Sequence, residues 1–242
     1  MHDNGIHWVE DSYTNYFLVE DGDRVTVVDA GHPSSWDSFQ GALRRIGRST
    51  DDVDAIVLTH GHFDHVGFAE RARRELDIPV WVHENDVPLT KHPWRYDHER
   101  PRSLYLATQP RALPIVAAYV KSRSFWAPPV REVKRFTDGS LPVTGSPRVI
   151  PTPGHTHGHC ALHFPDRDAV IVGDAFVTLD PYTARRGPRV VARAATADSE
   201  RALATLDVLA ETEARTAFVG HGEPWTRGVE AACEQAKRAG VA

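Results

Sequence analysis

The sequence predicts an α+β fold, a four-layer αββα sandwich in which two sheets pack face to face with helices outside. Two mixed halves, each combining short apolar runs with segments of helical period, predict this layering, because a sheet face and a helix stripe each need a partner layer. Each half also carries metal-competent side chains at the ends of its apolar runs, which a sheet protein can collect along one edge. At 242 residues the chain is large for one hydrophobic core but within the range of layered folds, and 41% hydrophobic residues supply that core. A single domain over residues 1–242 is expected, since no linker is evident.

Residues 16–20 and 24–29 read as a hairpin around Asp21-Gly22. Trp36, Phe39, Leu43 and Ile46 then recur at helical spacing. Strands are expected at residues 54–59 and 80–82, with a helix over 66–76 between them. The second half gives strands at 148–150, 160–164, 169–172 and 216–219, with helices at 202–209 and 229–238. Between the halves, residues 90–130 form an insertion rich in Pro, Arg and aromatics, with a short helix at 113–120. Two roles suit it, a wall of the substrate pocket or a surface packed against another subunit in a homodimer. Residues 178–188, with Tyr182, Arg185 and Arg186, are a second candidate wall, expected as a loop.

The most informative stretch is His60-Gly61-His62-Phe63-Asp64-His65, directly after the apolar run Ala55-Ile56-Val57-Leu58. Three imidazoles and a carboxylate crowded together leave polar atoms unpaired, or repel on protonation, unless a cation gathers them. His60 and His62 point to one side of an extended segment, and Asp64 and His65 follow where the chain turns toward a helix, so two pairs suit two neighbouring ions. His155, Asp174 and His221 each stand at the end of a later apolar run. Gly154, Gly173 and Gly220 precede them and permit tight turns or close backbone approach.

On these residues the chain resembles the metallo-β-lactamase-fold superfamily. The His-x-His-x-Asp-His signature falls at His60, His62, Asp64 and His65, Pro-Gly-His-Thr at Pro153 to Thr156, Gly-Asp at Gly173-Asp174 and Gly-His at Gly220-His221. The likeness spans nearly the whole chain, starting from the hairpin that ends in Val28-Asp29-Ala30-Gly31, and any symmetry between the halves rests on it. It implies a first metal held by His60, His62 and His155, a second held by Asp64, His65 and His221, and Asp174 bridging them. It also places Asp29 and Thr59 behind metal-bound imidazoles, and His159 at a position resembling one in the glyoxalase II branch. His65, the lack of a ligand cysteine and the lack of a secretion signal depart from the secreted lactam-cleaving enzymes.

The chemistry implied is hydrolysis at two Zn²⁺ ions, with Fe²⁺ or Mn²⁺ the alternatives for a nitrogen and oxygen donor set. A metal-bridging hydroxide would attack a carbonyl-type small-molecule substrate such as a thioester, lactone or other ester, and Asp64 would serve as ligand and as acceptor of the nucleophile's hydrogen bond. Two other classes compete, a mononuclear iron persulfide dioxygenase and a non-catalytic metal-stabilised binding protein. A formal charge of −5 disfavours nucleic acid. The opening residues 1–5 lack a leader's basic and apolar regions and no run reaches membrane-span length, so a cytoplasmic protein without a membrane partner is expected. Cys160 and Cys233 are expected to be buried small residues.

Overall fold

The computed structural model describes residues 4–242, so most of the opening stretch 1–5 lies outside the described residues. Six strands form the first sheet in chain order: β1 (Ile6–Asp11), β2 (Thr14–Asp21), β3 (Arg24–Val28), β4 (Val53–Val57), β5 (Val80–His83) and β6 (Lys134–Phe136). β1 to β3 are an antiparallel meander, and β3 to β6 run parallel. Parallel neighbours need crossovers. α1 (Trp36–Arg45) and α2 (Ala69–Glu75) supply the first two, and α3 (Val87–Lys91), α4 (Arg102–Thr108) and α5 (Leu113–Lys121) lie in the third.

The second sheet takes β7 (Gly139–Ser140), β8 (Arg148–Pro151), β9 (Cys160–Phe164), β10 (Ala169–Gly173) and, after a separate hairpin of β11 (Val177–Leu179) and β12 (Arg186–Arg189), β13 (Thr216–Val219). Its spatial order is β13-β10-β9-β8-β7. α6 (Ser199–Ala204), α7 (Leu206–Ala210) and α8 (Val229–Ala239) cover its outer face.

The period-two alternation of the strands sorts their side chains into layers. In β2, Tyr16 and Leu18 pack toward α1 and α2, while Phe17 and Val19 face the other sheet. In β10, Val170 and Val172 pack under α6 to α8, while Ala169 and Ile171 meet Phe17 and Val19 in the inter-sheet core. Helix, sheet, sheet and helix therefore stack as the expected αββα sandwich.

Three expectations shift in detail. The helix placed at 66–76 begins only at Ala69, because the preceding amides are spent on tertiary bonds: Gly67 N–H reaches Gly31 O at 2.9 Å and Phe68 N–H reaches Ala30 O at 3.0 Å. The helix placed at 202–209 starts earlier, where the Asp198 side chain caps Arg201 N–H at 2.9 Å, and divides at Thr205, whose hydroxyl donates back to Ala202 O at 3.0 Å. Residues 178–188 are largely the β11–β12 hairpin rather than a loop.

Candidate metal centre

The loop after β4 brings His60, His62, Asp64 and His65 to the sheet edge where β8, β10 and β13 deliver His155, Asp174 and His221. All seven are buried. Their donor atoms fall into three groups, each lying within 4.8 Å: His60, His62 and His155; His60, His65 and Asp174; Asp64, His65 and His221. Asp174 stands between the first and last, with Oδ2 at 3.4 Å from His155 Nε2 and 3.2 Å from His221 Nε2. Asp174 Oδ1 lies 3.7 Å from His65 Nε2, and Asp64 Oδ2 lies 3.5 Å from His221 Nε2.

Hydrogen bonds behind the rings fix which nitrogen faces inward. His65 Nδ1–H donates to Asp29 Oδ2 at 2.9 Å, His60 Nδ1–H donates to Thr59 Oγ1 at 3.0 Å, and His221 Nδ1–H donates to Tyr13 O at 2.7 Å. Thr59 in turn donates its amide to Asp29 Oδ1 at 2.8 Å and its hydroxyl to Asp29 Oδ2 at 2.9 Å. Asp29 holds this junction from a left-handed backbone, φ 61°, which Asp tolerates better than most residues. On the inner side His60 Nε2, His65 Nε2 and Asp174 Oδ1 are buried without a hydrogen-bond partner. Each such atom costs about 1–3 kcal/mol unless something satisfies it, and imidazole nitrogens with carboxylate oxygens are a donor set suited to a divalent transition ion. The residues fit a metal.

His159 also falls at the site. It donates from Nδ1 to Thr152 Oγ1 at 2.8 Å and accepts the Asp174 amide at Nε2, 3.0 Å away, so it orients the backbone of Asp174 rather than a ring. Close approach explains two of the glycines. A Cβ on Gly220 would sit 2.0 Å from Asp174 Oδ1, and one on Gly173 would meet Thr59 Oγ1 at 2.7 Å.

Burial lowers His60 and His62 well below the usual imidazole range and His155 to about 3. Burial also opposes charge on His65, yet Asp174, Asp29 and Asp64 outweigh it and raise that group to about 10. His221 is raised against burial by Asp174 and Asp64. His60, His62 and His155 are thus favoured as neutral ligands, whereas a cation held by His65 and His221 would displace protons from them.

Sequence reasoning passed over two residues at this site. Asp86, buried after β5, accepts from Gly61 N–H at 2.9 Å, Thr156 Oγ1 at 2.8 Å and Gly158 N–H at 2.7 Å, tying the His60–His62 loop to the His155 loop. Its position just past a strand end was the available signal. Tyr119, from α5, donates to Asp64 Oδ2 at 3.1 Å and lies 3.2 Å from Thr14 Oγ1. Nothing marked it among the insertion's other aromatics.

That insertion lies against the centre. Phe63 stacks on Trp94 at 3.7 Å, Tyr96 packs on His62 at 4.1 Å, and the Tyr96 and Tyr182 hydroxyls are 2.8 Å apart. Tyr182 faces the centre, whereas Arg185 and Arg186 are exposed. His32 is fully buried and bonded through Nδ1 to Ser124 Oγ at 2.5 Å. Cys160 and Cys233 are buried, and neither joins a potential metal group among the described residues. No helix of the described residues is long and apolar enough to cross a membrane.

The chain is 29% identical over 237 residues to the probable metallo-hydrolase YflN of Bacillus subtilis, covering 92% of this chain and 85% of that protein. The structure of the metallo-beta-lactamase family protein TTHA1429 from Thermus thermophilus superposes with a TM-score of 0.69 at 25% identity, over 97% of this chain and 79% of that one. TTHA1623, solved in a di-iron-bound form, gives 0.64 at 26% identity over 93% and 96% of the two chains. The family model described as the metallo-beta-lactamase superfamily matches residues 9–221, a span that begins in β1 and ends on the last histidine of the cluster. The chain belongs to the metallo-β-lactamase superfamily.

Proposed function

We propose that the protein is a dinuclear metal-dependent hydrolase acting on a carbonyl-type small molecule, a thioester, lactone or other ester. The observation that carries this reading is the pair of buried donor groups joined by Asp174, in which His60 Nε2, His62 Nε2, His65 Nε2 and Asp174 Oδ1 have no hydrogen-bond partner. His60, His62 and His155 would hold one ion, Asp64, His65 and His221 the other, and Asp174 would span both. Such ions supply Lewis acidity and lower the pKa of a water to about 7, which provides a nucleophile at neutral pH.

The chain's own groups do the positioning. Asp29 and Thr59 hold His60 and His65 in the tautomers that present Nε2, and His159 fixes the backbone from which Asp174 reaches inward. Asp64 accepts from Tyr119, so one carboxylate oxygen is oriented while the group remains able to accept a proton from the attacking species. The aromatic wall around Phe63, Tyr96 and Tyr182 excludes water from the reacting atoms, which strengthens electrostatic stabilisation of the developing oxyanion.

Zinc is the ion proposed, because five imidazoles and two carboxylates without thiolate suit it. The di-iron form of the relative TTHA1623 gives iron a specific claim as the alternative. Metal content per chain of protein purified without a metal-binding tag separates them. About two zinc ions per chain, with turnover of thioesters, esters or lactones that chelation abolishes, is the expected result. A single iron with oxygen uptake on glutathione persulfide would replace the hydrolase by a sulfur dioxygenase, and tight metal binding with no turnover of either class would leave a binding protein.

A further inference from the structure

A second cavity, of about 130 Å³, lies beside the ligand cluster and is walled almost wholly by apolar side chains. Trp94, Ile115, Val116 and Phe125 of the insertion form much of it, and Leu106 and Leu113, on α4 and α5, are exposed members of its wall. Five residues, Phe63, Tyr96, Tyr119, Pro181 and Tyr182, also line the small space at the donor atoms, so the two spaces share a partition. At that partition the Tyr96 and Tyr182 hydroxyls bond each other, and the Arg102 guanidinium lies 3.9 Å over the Tyr96 ring. The two hydroxyls there partner each other, while Arg102 Nε and Trp94 Nε1, of side chains that also line the cavity, are buried without a hydrogen-bond partner.

With Leu106 and Leu113 exposed at its wall, the space opens to solvent and is a pocket a ligand can enter rather than a void in the core. An apolar cavity of about 150 Å³ stays dry and admits benzene. The matching size, the apolar wall and the shared partition select the same occupant. We propose that this cavity seats an apolar group of the substrate, an aromatic ring or a compact alkyl chain of comparable volume, carried on the acyl side of the bond cut at the metal centre. This assignment rests on the hydrolase reading and narrows its substrates to apolar acyl compounds. The insertion then acts as a selectivity element, and a small or strongly polar acyl group would leave the cavity unfilled.

Two measurements on the metal-loaded full chain test it. The first is calorimetric titration with benzyl alcohol, a probe that needs no turnover; saturable binding with one site per chain is expected. Val116→Trp, which fills the cavity, and Leu106→Trp, at an exposed wall position that tolerates a large ring, should each weaken binding at least about 10-fold, since burying a ring-sized apolar group is worth roughly that or more. The second compares kcat/KM for phenylacetyl and acetyl thioesters of N-acetylcysteamine. A preference of about 10- to 100-fold for phenylacetyl is expected, shrinking toward one in both variants. Equal turnover of the two thioesters, or no probe binding by folded wild-type protein, overturns the cavity assignment while leaving the hydrolase reading in place. Probe binding that the variants weaken, without turnover of either thioester, keeps the cavity as an apolar ligand seat and removes the hydrolase on which the acyl assignment depends.

Discussion

The two walls of the site are built on opposite physical principles. On the metal side nearly every side chain is pinned by hydrogen bonds: Asp29 serves His65 and Thr59, Thr59 serves His60, His159 holds the Asp174 amide, and Asp86 ties two ligand loops. On the insertion side the contacts are ring on ring, with Phe63, Trp94 and Phe125 in mutual contact and Tyr96 against His62. Hydrogen bonds impose direction, which coordination geometry demands, whereas apolar packing imposes volume and tolerates exchange. In the proposed reading, the chemistry then rests on the hydrogen-bonded wall and the choice of substrate on the packed one. Tyr119 belongs to both walls, ring in the insertion and hydroxyl on Asp64.

The contrast can be broken most severely at Asp64. Asp64→Asn should keep the fold and lower turnover by about 10²- to 10⁴-fold, the range of a lost acid–base group; near-normal kcat with two ions retained would remove that role. Asp86→Ala leaves the Gly61 and Gly158 amides buried without acceptors, so metal affinity should fall by about 10- to 100-fold and stability by about 2–6 kcal/mol. A competition titration with a chelator and a urea melt read the two effects, and an unchanged melt would show that water replaces the carboxylate. Tyr119→Phe removes a bond to a charged oxygen, worth about 1.5–3 kcal/mol, and should lower kcat by about 10-fold or more with little change in KM; a KM effect alone would place Tyr119 with the insertion only.

The smallest effect concerns pH. Burial lowers His32 to about 4 from its ordinary 6.5, against the attraction of Asp64 and Asp11. Below pH 6.5 the unfolded chain takes up a proton that the folded chain refuses, so this group's share of stability is complete above 6.5 and is lost as pH falls toward about 4. By pH 5 the loss amounts to about 2 kcal/mol. Urea midpoints at pH 7 and pH 5 should differ less in His32→Asn than in the parent, and identical slopes would show that His32 titrates normally.

The donor residues were readable because their signal is local: four of them sit in six residues, and the others follow apolar runs that became β8, β10 and β13. The sandwich was readable for the same reason, since alternation inside each strand is a short-range property. Asp86 carried a comparable strand-end signature but stood alone, and its worth depends on two loops far away in sequence. Tyr119 depended on how the insertion folds back over Asp64, which no periodicity encodes. β1 escaped notice because only Ile6 and Val9 of its six residues are buried, too few to show an alternating stripe. The late start of α2 has a tertiary cause, the capture of the Gly67 and Phe68 amides by the Ala30–Gly31 backbone.

Asp29 supports ligands from both donor groups at once, His65 directly and His60 through Thr59. Its two oxygens work as a yoke. When one imidazole is drawn taut by an ion, the carboxylate that steadies the other is steadied too, so the conformational entropy lost in ordering the second ligand has already been surrendered with the first. If ions fill both proposed positions, their loading would then be coupled through Asp29, and partially filled molecules should be scarce at equilibrium.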